Sequence, residues 1–251
     1  TTADIVSNRA VSLTGDGIFE TNAGTSLTLN GAVAGAGLLT KDGAGSLVLT
    51  GANSYGGDTI VTAGSLFVNG DQTGATGLTS VASGATLGGS GIIGGNVTLA
   101  DGATLAAGTN NVGTLAINGN LALSGGSVLD FAFGEANVAG GALNDLVMVG
   151  GDLILGGTIN VSVPVGGSFG PGIYRAFNYG GALTDNGLTL GTLPGGSAVS
   201  VQTAIAGQVN LVNTAGLTLS FWDGTVGPKN TGLVNGGNGV WRVAGGSNNW
   251  T

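Results

Sequence analysis

Cysteine and histidine are both absent from this chain. Their absence removes Ser-His and Cys-His nucleophilic pairs and most transition-metal sites. It also removes disulfides, which suits a chain that crosses a membrane unfolded, since a bridge formed early would block passage; a reduced cytosolic protein is the other reading. Cations are scarce as well: Arg9, Lys41, Arg175, Lys229 and Arg242 stand against thirteen acidic residues, for a net charge of −8. Five scattered cations cannot build an electropositive stripe, so nucleic acid is excluded as a partner. No apolar run reaches the roughly 18 residues of a transmembrane helix. No charged leader followed by an apolar stretch opens the chain, so Thr1 reads as an internal residue of a longer protein.

Strong helix formers are also thin on the ground. With 54 glycines and 7% charged residues, helix is disfavoured, because glycine costs about 1 kcal/mol per interior helical position relative to alanine. Disorder is disfavoured too, because 42% of the residues are hydrophobic and can bury a core. What remains is all-β: short runs of Val, Leu, Ile and Thr cut by Gly, Asn and Asp every few residues.

These runs repeat. Ser26-Leu27-Thr28-Leu29-Asn30-Gly31 returns as Ser46-Leu47-Val48-Leu49-Thr50-Gly51 and as Ser65-Leu66-Phe67-Val68-Asn69-Gly70, at spacings of 20 and 19 residues. A period near 20 built from short strands predicts a right-handed, single-stranded parallel β-helix, in which one repeat is one coil and cannot bury its apolar face alone. Leucines two apart point to one side of a strand, so Leu27, Leu29, Leu47, Leu49, Leu66 and Val68 are the predicted core stack. At about 4.8 Å per strand, some 10 to 12 coils give a rod of roughly 50 Å. Asn30 and Asn69 occupy equivalent turn positions and form either a hydrogen-bonded ladder or ordinary Asn-Gly turns.

The segment from Gly35 to Gly70 resembles the passenger-associated transport repeat of autotransporters. It combines Lys41-x-Gly43-x-Gly45 before one strand, Gly51-x-Asn53-x-Tyr55 at a turn, and Ala63-Gly64-x-Leu66 before the next strand. Asn144-Asp145-Leu146-Val147-Met148-Val149-Gly150 and the residues after it are similar to a pattern found late in many passengers. Phe221-Trp222-Asp223-Gly224 onward is similar to the opening of a further passenger module. The chain is thus divided into regular coils with the transport repeat at 1–105, a less regular β-helix with a loop excursion at 106–220, and the start of another module at 221–251. The resemblance implies a secreted passenger displayed at the surface of a Gram-negative bacterium, its partners being neighbouring coils and an outer-membrane barrel of the parent chain. It further implies a host extracellular-matrix protein, glycan or cell surface as ligand. An inert spacer or folding module is the alternative role.

Chemistry is sparse. Clustered carboxylates would mark a sugar-cleaving site, but no two of the thirteen acidic residues are two apart on one strand. Asp130 and Asp152, 22 apart, are a pair that the period could stack on neighbouring coils. Turn hydrogen bonding is the stronger reading for these, and for Asp42, Asp58 and Asp145. Gly89-x-Gly91-x-x-Gly94 fits the dinucleotide template, yet Asn96-Val97-Thr98-Leu99 follows where a helix is needed. Phe169, Tyr174, Phe177 and Tyr179 crowd one stretch and are either an exposed interaction loop or a hydrophobic cap, the cap being preferred; a non-repeating excursion is placed at about 168–196. No catalytic residue, metal or cofactor is predicted, and the chain is read as non-enzymatic.

Overall fold

Leucine spacing sets the architecture. In the computed structural model, which describes residues 3–109 and 112–217, every element is a short strand and the strands stack in parallel, coil on coil. The module expected at 221–251 lies outside the described residues. One face is a nine-stranded parallel sheet from Ile5–Ser7 to Thr189–Leu190. Along its inner side one column runs Ile5, Leu27, Leu47, Leu66, Leu87, Leu105, Leu129, Ile159, Leu190, each in register with the next. A second column runs through Leu29, Leu49 and Val68. Leu47, Leu49, Leu66 and Val68 are buried, while Leu27, near the first coil, is partly exposed.

Two further faces complete each coil. An eight-stranded parallel sheet runs from Gly17–Glu20 to Leu183–Asp185. The third face begins with three parallel strands, Val11–Leu13, Val33–Gly35 and Ser54–Tyr55, and continues from Asp71–Gln72 to the long strand Gly172–Tyr179. There the pattern changes: Gln208–Asn213 pairs antiparallel with Gly172–Tyr179, and Val199–Gln202 pairs antiparallel with Gln208–Asn213. This hairpin closes one face of the last coil and shields its backbone edge.

The described residues make eight complete coils and the opening strand of a ninth, fewer than the 10 to 12 that a constant period implies, because coils lengthen along the chain. Successive positions of the column are 22, 20, 19, 21 and 18 residues apart from Ile5 up to Leu105, then 24, 30 and 31. Most of the extra length in the Leu129–Ile159 coil is a loop between strands Val128–Ala132 and Leu146–Val149. Residues 168–196 are not a single excursion: they carry Gly172–Tyr179, Leu183–Asp185 and Thr189–Leu190, one strand on each face.

Side-chain oxygens sew coils together at the corner entering the eight-stranded face. Asp16, Asp58, Asn96, Asn120 and Asp152 each accept, through Oδ1, a backbone N–H of the following coil, from Leu38, Leu78, Asn120, Asp152 and Ala182 respectively. At another corner Asn30 donates to Asn8 Oδ1 at 2.8 Å and accepts from the Thr50 hydroxyl at 2.6 Å. Asn69 instead accepts from the Ser90 amide and the Thr109 hydroxyl, so Asn30 and Asn69 belong to separate bonded sets.

Candidate functional site

The transport-repeat residues lie inside the solenoid. Leu39 and Lys41 alternate on strand Leu39–Asp42, so both point inward, and Lys41 is fully buried. Its ammonium donates to three backbone carbonyls, those of Gly43 (2.6 Å), Asp42 (2.8 Å) and Ala63 (2.9 Å), and thereby clamps two successive turns. Loss of hydration lowers its pKa from the ordinary lysine value, opposed by the neighbouring Asp42 carboxylate. The surrounding glycines make room for the clamp: Gly64 has φ +64°, and a methyl there would stand 2.8 Å from Lys41 Nζ, an unfavourable backbone for any residue with a Cβ. Tyr55 is likewise buried, its hydroxyl bonded to Thr59 Oγ1 at 2.7 Å and Gln72 Oε1 at 3.2 Å, and burial pushes its pKa up. Asn53 accepts the Val33 N–H across coils at 2.7 Å.

The late motif is a second clasp. Asn144, fully buried, accepts from the amides of Gly134 and Glu135 and donates to the carbonyls of Glu135 and Val138. Four bonds to backbone use most of its hydrogen-bonding capacity and pin the loop at its base. Asp145, 3% exposed, accepts the Gly113 N–H on one carboxylate oxygen and the Ala132 N–H on the other. Burial raises its pKa from 3.8 to about 6, against the pull of those two N–H groups.

Beside this clasp the interior turns aromatic. Tyr174 and Phe177 are fully buried, so these two rings present no surface. Phe169 packs on Tyr174 with centroids 4.3 Å apart; Phe133 lies 5.6 Å from Tyr174, and Phe131 5.5 Å from Phe177. The Tyr174 hydroxyl donates to Gly170 O at 2.9 Å. Tyr179 is partly buried at the far end of the same strand. Asn213 of the closing hairpin donates to the carbonyls of Phe169 and Gly170, tying the hairpin to this block.

Asp130 and Asp152 do not pair. Asp130 lies on the nine-stranded face and accepts from Asn160 Nδ2 at 2.9 Å, whereas Asp152 sits at the corner of the eight-stranded face. The 22-residue spacing fails because the local coil is 30 residues long. Gly89, Gly91 and Gly94 lie against the backbone of Val68, Gly70 and Gln72, where a Cβ would collide with carbonyl oxygens, so close coil packing explains all three. Among the described residues no three acidic side chains gather closely enough to hold a metal ion. A groove of about 770 Å³ crosses the outside of the nine-stranded face, lined by Phe67, Thr86, Thr104, Asp130, Ser162 and Val165 among others.

The fold is thus a parallel β-helix in which the residues of the transport-repeat pattern form a lysine clamp in one turn, with an Asn-Asp clasp further on and an antiparallel closing hairpin. Comparison with known proteins agrees: residues 39–68 match the passenger-associated-transport-repeat family. Over 234 residues, 90% of the chain, it is 56% identical to "Adhesin BmaC autotransporter" of Brucella suis biovar 1 (strain 1330). The chain spans 7% of that relative's length. The transport repeat and this likeness are those of an autotransporter passenger segment, surface-exposed and exported through the Gram-negative outer membrane.

Proposed function

We propose that the chain is a non-enzymatic length of passenger rod that acts in adhesion, contacting a host extracellular-matrix protein, glycan or cell surface. The observation that carries this reading is the 56% identity, sustained over nine-tenths of the chain, to a protein named as an adhesin. Two features support it. Side-chain chemistry is spent on the scaffold: Lys41, Asn53, Tyr55, Asn144 and Asp145 all face inward or bind backbone. The outside of the nine-stranded face carries a groove beside the loops that follow Ala132 and Ser162, and loops of this kind are where solenoids carry variable binding surfaces. The test is binding of the purified chain, immobilised on beads, to cultured mammalian cells and to immobilised matrix proteins. Saturable binding that soluble chain competes away is the expected result; binding no greater than that of an unrelated β-solenoid overturns the proposal.

A second reading, a folding module that helps the passenger assemble, is favoured by the aromatic block and the antiparallel hairpin bonded to it through Asn213. Removal of residues 106–220 tests it. Unchanged secretion and unchanged protease resistance of the remaining coils would overturn it.

A further inference from the structure

We propose that Arg175 and the loop beside it form a binding site on the outer surface for an acidic sugar unit carrying a single carboxylate or sulfate. The strand Gly172–Tyr179 contains a β-bulge between Arg175 and Phe177. In a regular strand Arg175 and Asn178, three apart, would face opposite sides. Across the bulge Ala176 and Phe177 are both buried, and Arg175 and Asn178 share the outer face. Bulges of this kind re-aim side chains and are frequent at binding sites.

The re-aimed guanidinium is held by three neutral oxygens: Nε donates to Asn210 Oδ1 (3.2 Å), NH1 to Asn178 Oδ1 (3.1 Å) and NH2 to Gln208 Oε1 (2.6 Å). Asn210 is itself 1% exposed and fixed by a 2.7 Å bond to Gln202. Arginine carries five N–H donors, so one remains on each terminal nitrogen, the pair that a carboxylate or sulfate bridges. Among the described residues no carboxylate pairs with it, although the chain carries a net charge of −8.

A wall stands beside this cation. Residues Asn137, Val138 and Ala139 enclose, with Ile173, Arg175 and Asn210, a recess of about 170 Å³. The wall is sewn to the strand by two bonds, Asn137 N–H to Ile173 O at 2.8 Å and Ile173 N–H to Asn137 Oδ1 at 3.1 Å, with Asn137 held at φ +64°. A non-glycine residue in that backbone region is uncommon and marks a position fixed by its surroundings. The recess is smaller than a typical small-molecule pocket of about 300 Å³ or more, so it takes one unit of a larger ligand. Its chemistry fits a sugar acid: a fork for the anion, the exposed Asn137 side-chain amide for a hydroxyl, and the exposed apolar surfaces of Val138 and Ile173 (37% and 44% exposed) for the C–H face of the ring. The net charge of −8 on the chain repels a polyanion more strongly than a single anion, which favours an isolated anionic unit.

The site deepens the adhesive reading and rests on it for its purpose, but its own test is direct. The full chain, labelled with ¹⁵N, is titrated with sodium glucuronate, glucose 6-sulfate, the neutral methyl ester of glucuronic acid, heparin and an acidic peptide, following the Arg175 Nε–H signal. The expected result is a saturable shift with one or both anionic sugars, at least tenfold weaker binding of the methyl ester and of heparin per disaccharide, and at least tenfold loss in R175Q. R175K, which keeps the charge but not the fork, is expected to fall between. No shift with either sugar, equal binding by folded R175Q, or tighter binding of the acidic peptide overturns the site. A chain that binds cells but neither sugar defeats the site alone. A chain that binds a sugar through Arg175 but no cell or matrix protein defeats the adhesive reading alone.

Discussion

Asp145→Asn isolates a buried carboxylate whose two influences pull in opposite directions. Two backbone N–H groups favour the charged form, and burial, the larger effect, favours the neutral one, leaving the group at about 6 instead of 3.8. A carboxyl raised in the folded state holds more protons folded than unfolded between those two values, so stability falls as pH rises through that window. Each tenfold change in proton affinity is worth about 1.4 kcal/mol. The full effect is therefore about 3 kcal/mol, of which about 2 to 2.5 kcal/mol develops between pH 4 and 7. The asparagine variant does not titrate. Its Nδ2 also faces one of the two amides, at Gly113 or Ala132, so one hydrogen bond is lost at every pH, costing roughly 1–3 kcal/mol. The difference in stability between wild type and variant therefore shrinks by about 2 kcal/mol from pH 4 to 7. Urea unfolding followed by far-ultraviolet circular dichroism, with hydrogen exchange at the Gly113 and Ala132 amides, measures it. A difference that stays constant or grows over this range refutes the reasoning, because it would mean that the two N–H bonds outweigh burial.

Three other substitutions probe the scaffold. Lys41→Met removes the donor from the Asp42, Gly43 and Ala63 carbonyls, and with hydrogen bonds to charged groups worth about 1.5–3 kcal/mol each, set against the relief of burying an ammonium, the expected net loss is about 2 kcal/mol; urea midpoints and exchange at the Gly45 and Thr62 amides check it. Asn144→Ala breaks four bonds at the base of one loop and is expected to open a protease-sensitive site within residues 133–144 while distant coils keep their protection, read by limited proteolysis with mass spectrometry. Phe177→Ala empties a fully buried position and is expected to destabilise by about 3–5 kcal/mol, seen as a fall in the urea midpoint.

Much of this architecture is legible in the chain because a solenoid reuses one rule: the residue one period on sits one strand over. Leu27, Leu47 and Leu66 obey it, and a reader counting 20 finds their column. The rule fails where the period fails. Asp130 and Asp152 are separated by an insertion that moves them to different faces, and nothing in local composition announces its length. Lys41 is hidden for another reason. Lysine is the least expected of interior residues, yet its alternation with Leu39, together with glycines at 43 and 45, is the signal that it points inward. Arg175 is hidden because a bulge breaks strand alternation; Ala176-Phe177, two apolar residues in succession, is its only trace.

The distribution of buried polar groups predicts that the solenoid does not unfold uniformly. Interior positions before residue 80 include Thr21, Lys41, Asn53, Thr59, Gln72 and Thr79, and three of the four buried polar atoms without a partner among the described residues, Thr21 Oγ1, Asn53 Nδ2 and Gln72 Nε2, lie there. Each such orphan costs on the order of 1–3 kcal/mol. After residue 115 the buried polar side chains Ser127, Asn144, Asp145, Asn210 and Asn213 are all hydrogen-bonded, Ser124 Oγ is the single orphan among the described residues there, and five aromatic rings and an antiparallel hairpin add to the leucine column. In a repeat array stability is a local sum over neighbouring coils, so the aromatic block is the last part to open and the first to form. Native-state hydrogen exchange in moderate urea should show the amides of strands Leu121–Leu123, Leu153–Leu155 and Gln208–Asn213 outlasting those of strands Leu39–Asp42, Thr59–Val61 and Thr79–Val81. Equal protection would mean that the coils open as one unit, and the reverse order would mean that the lysine clamp outweighs the aromatic core.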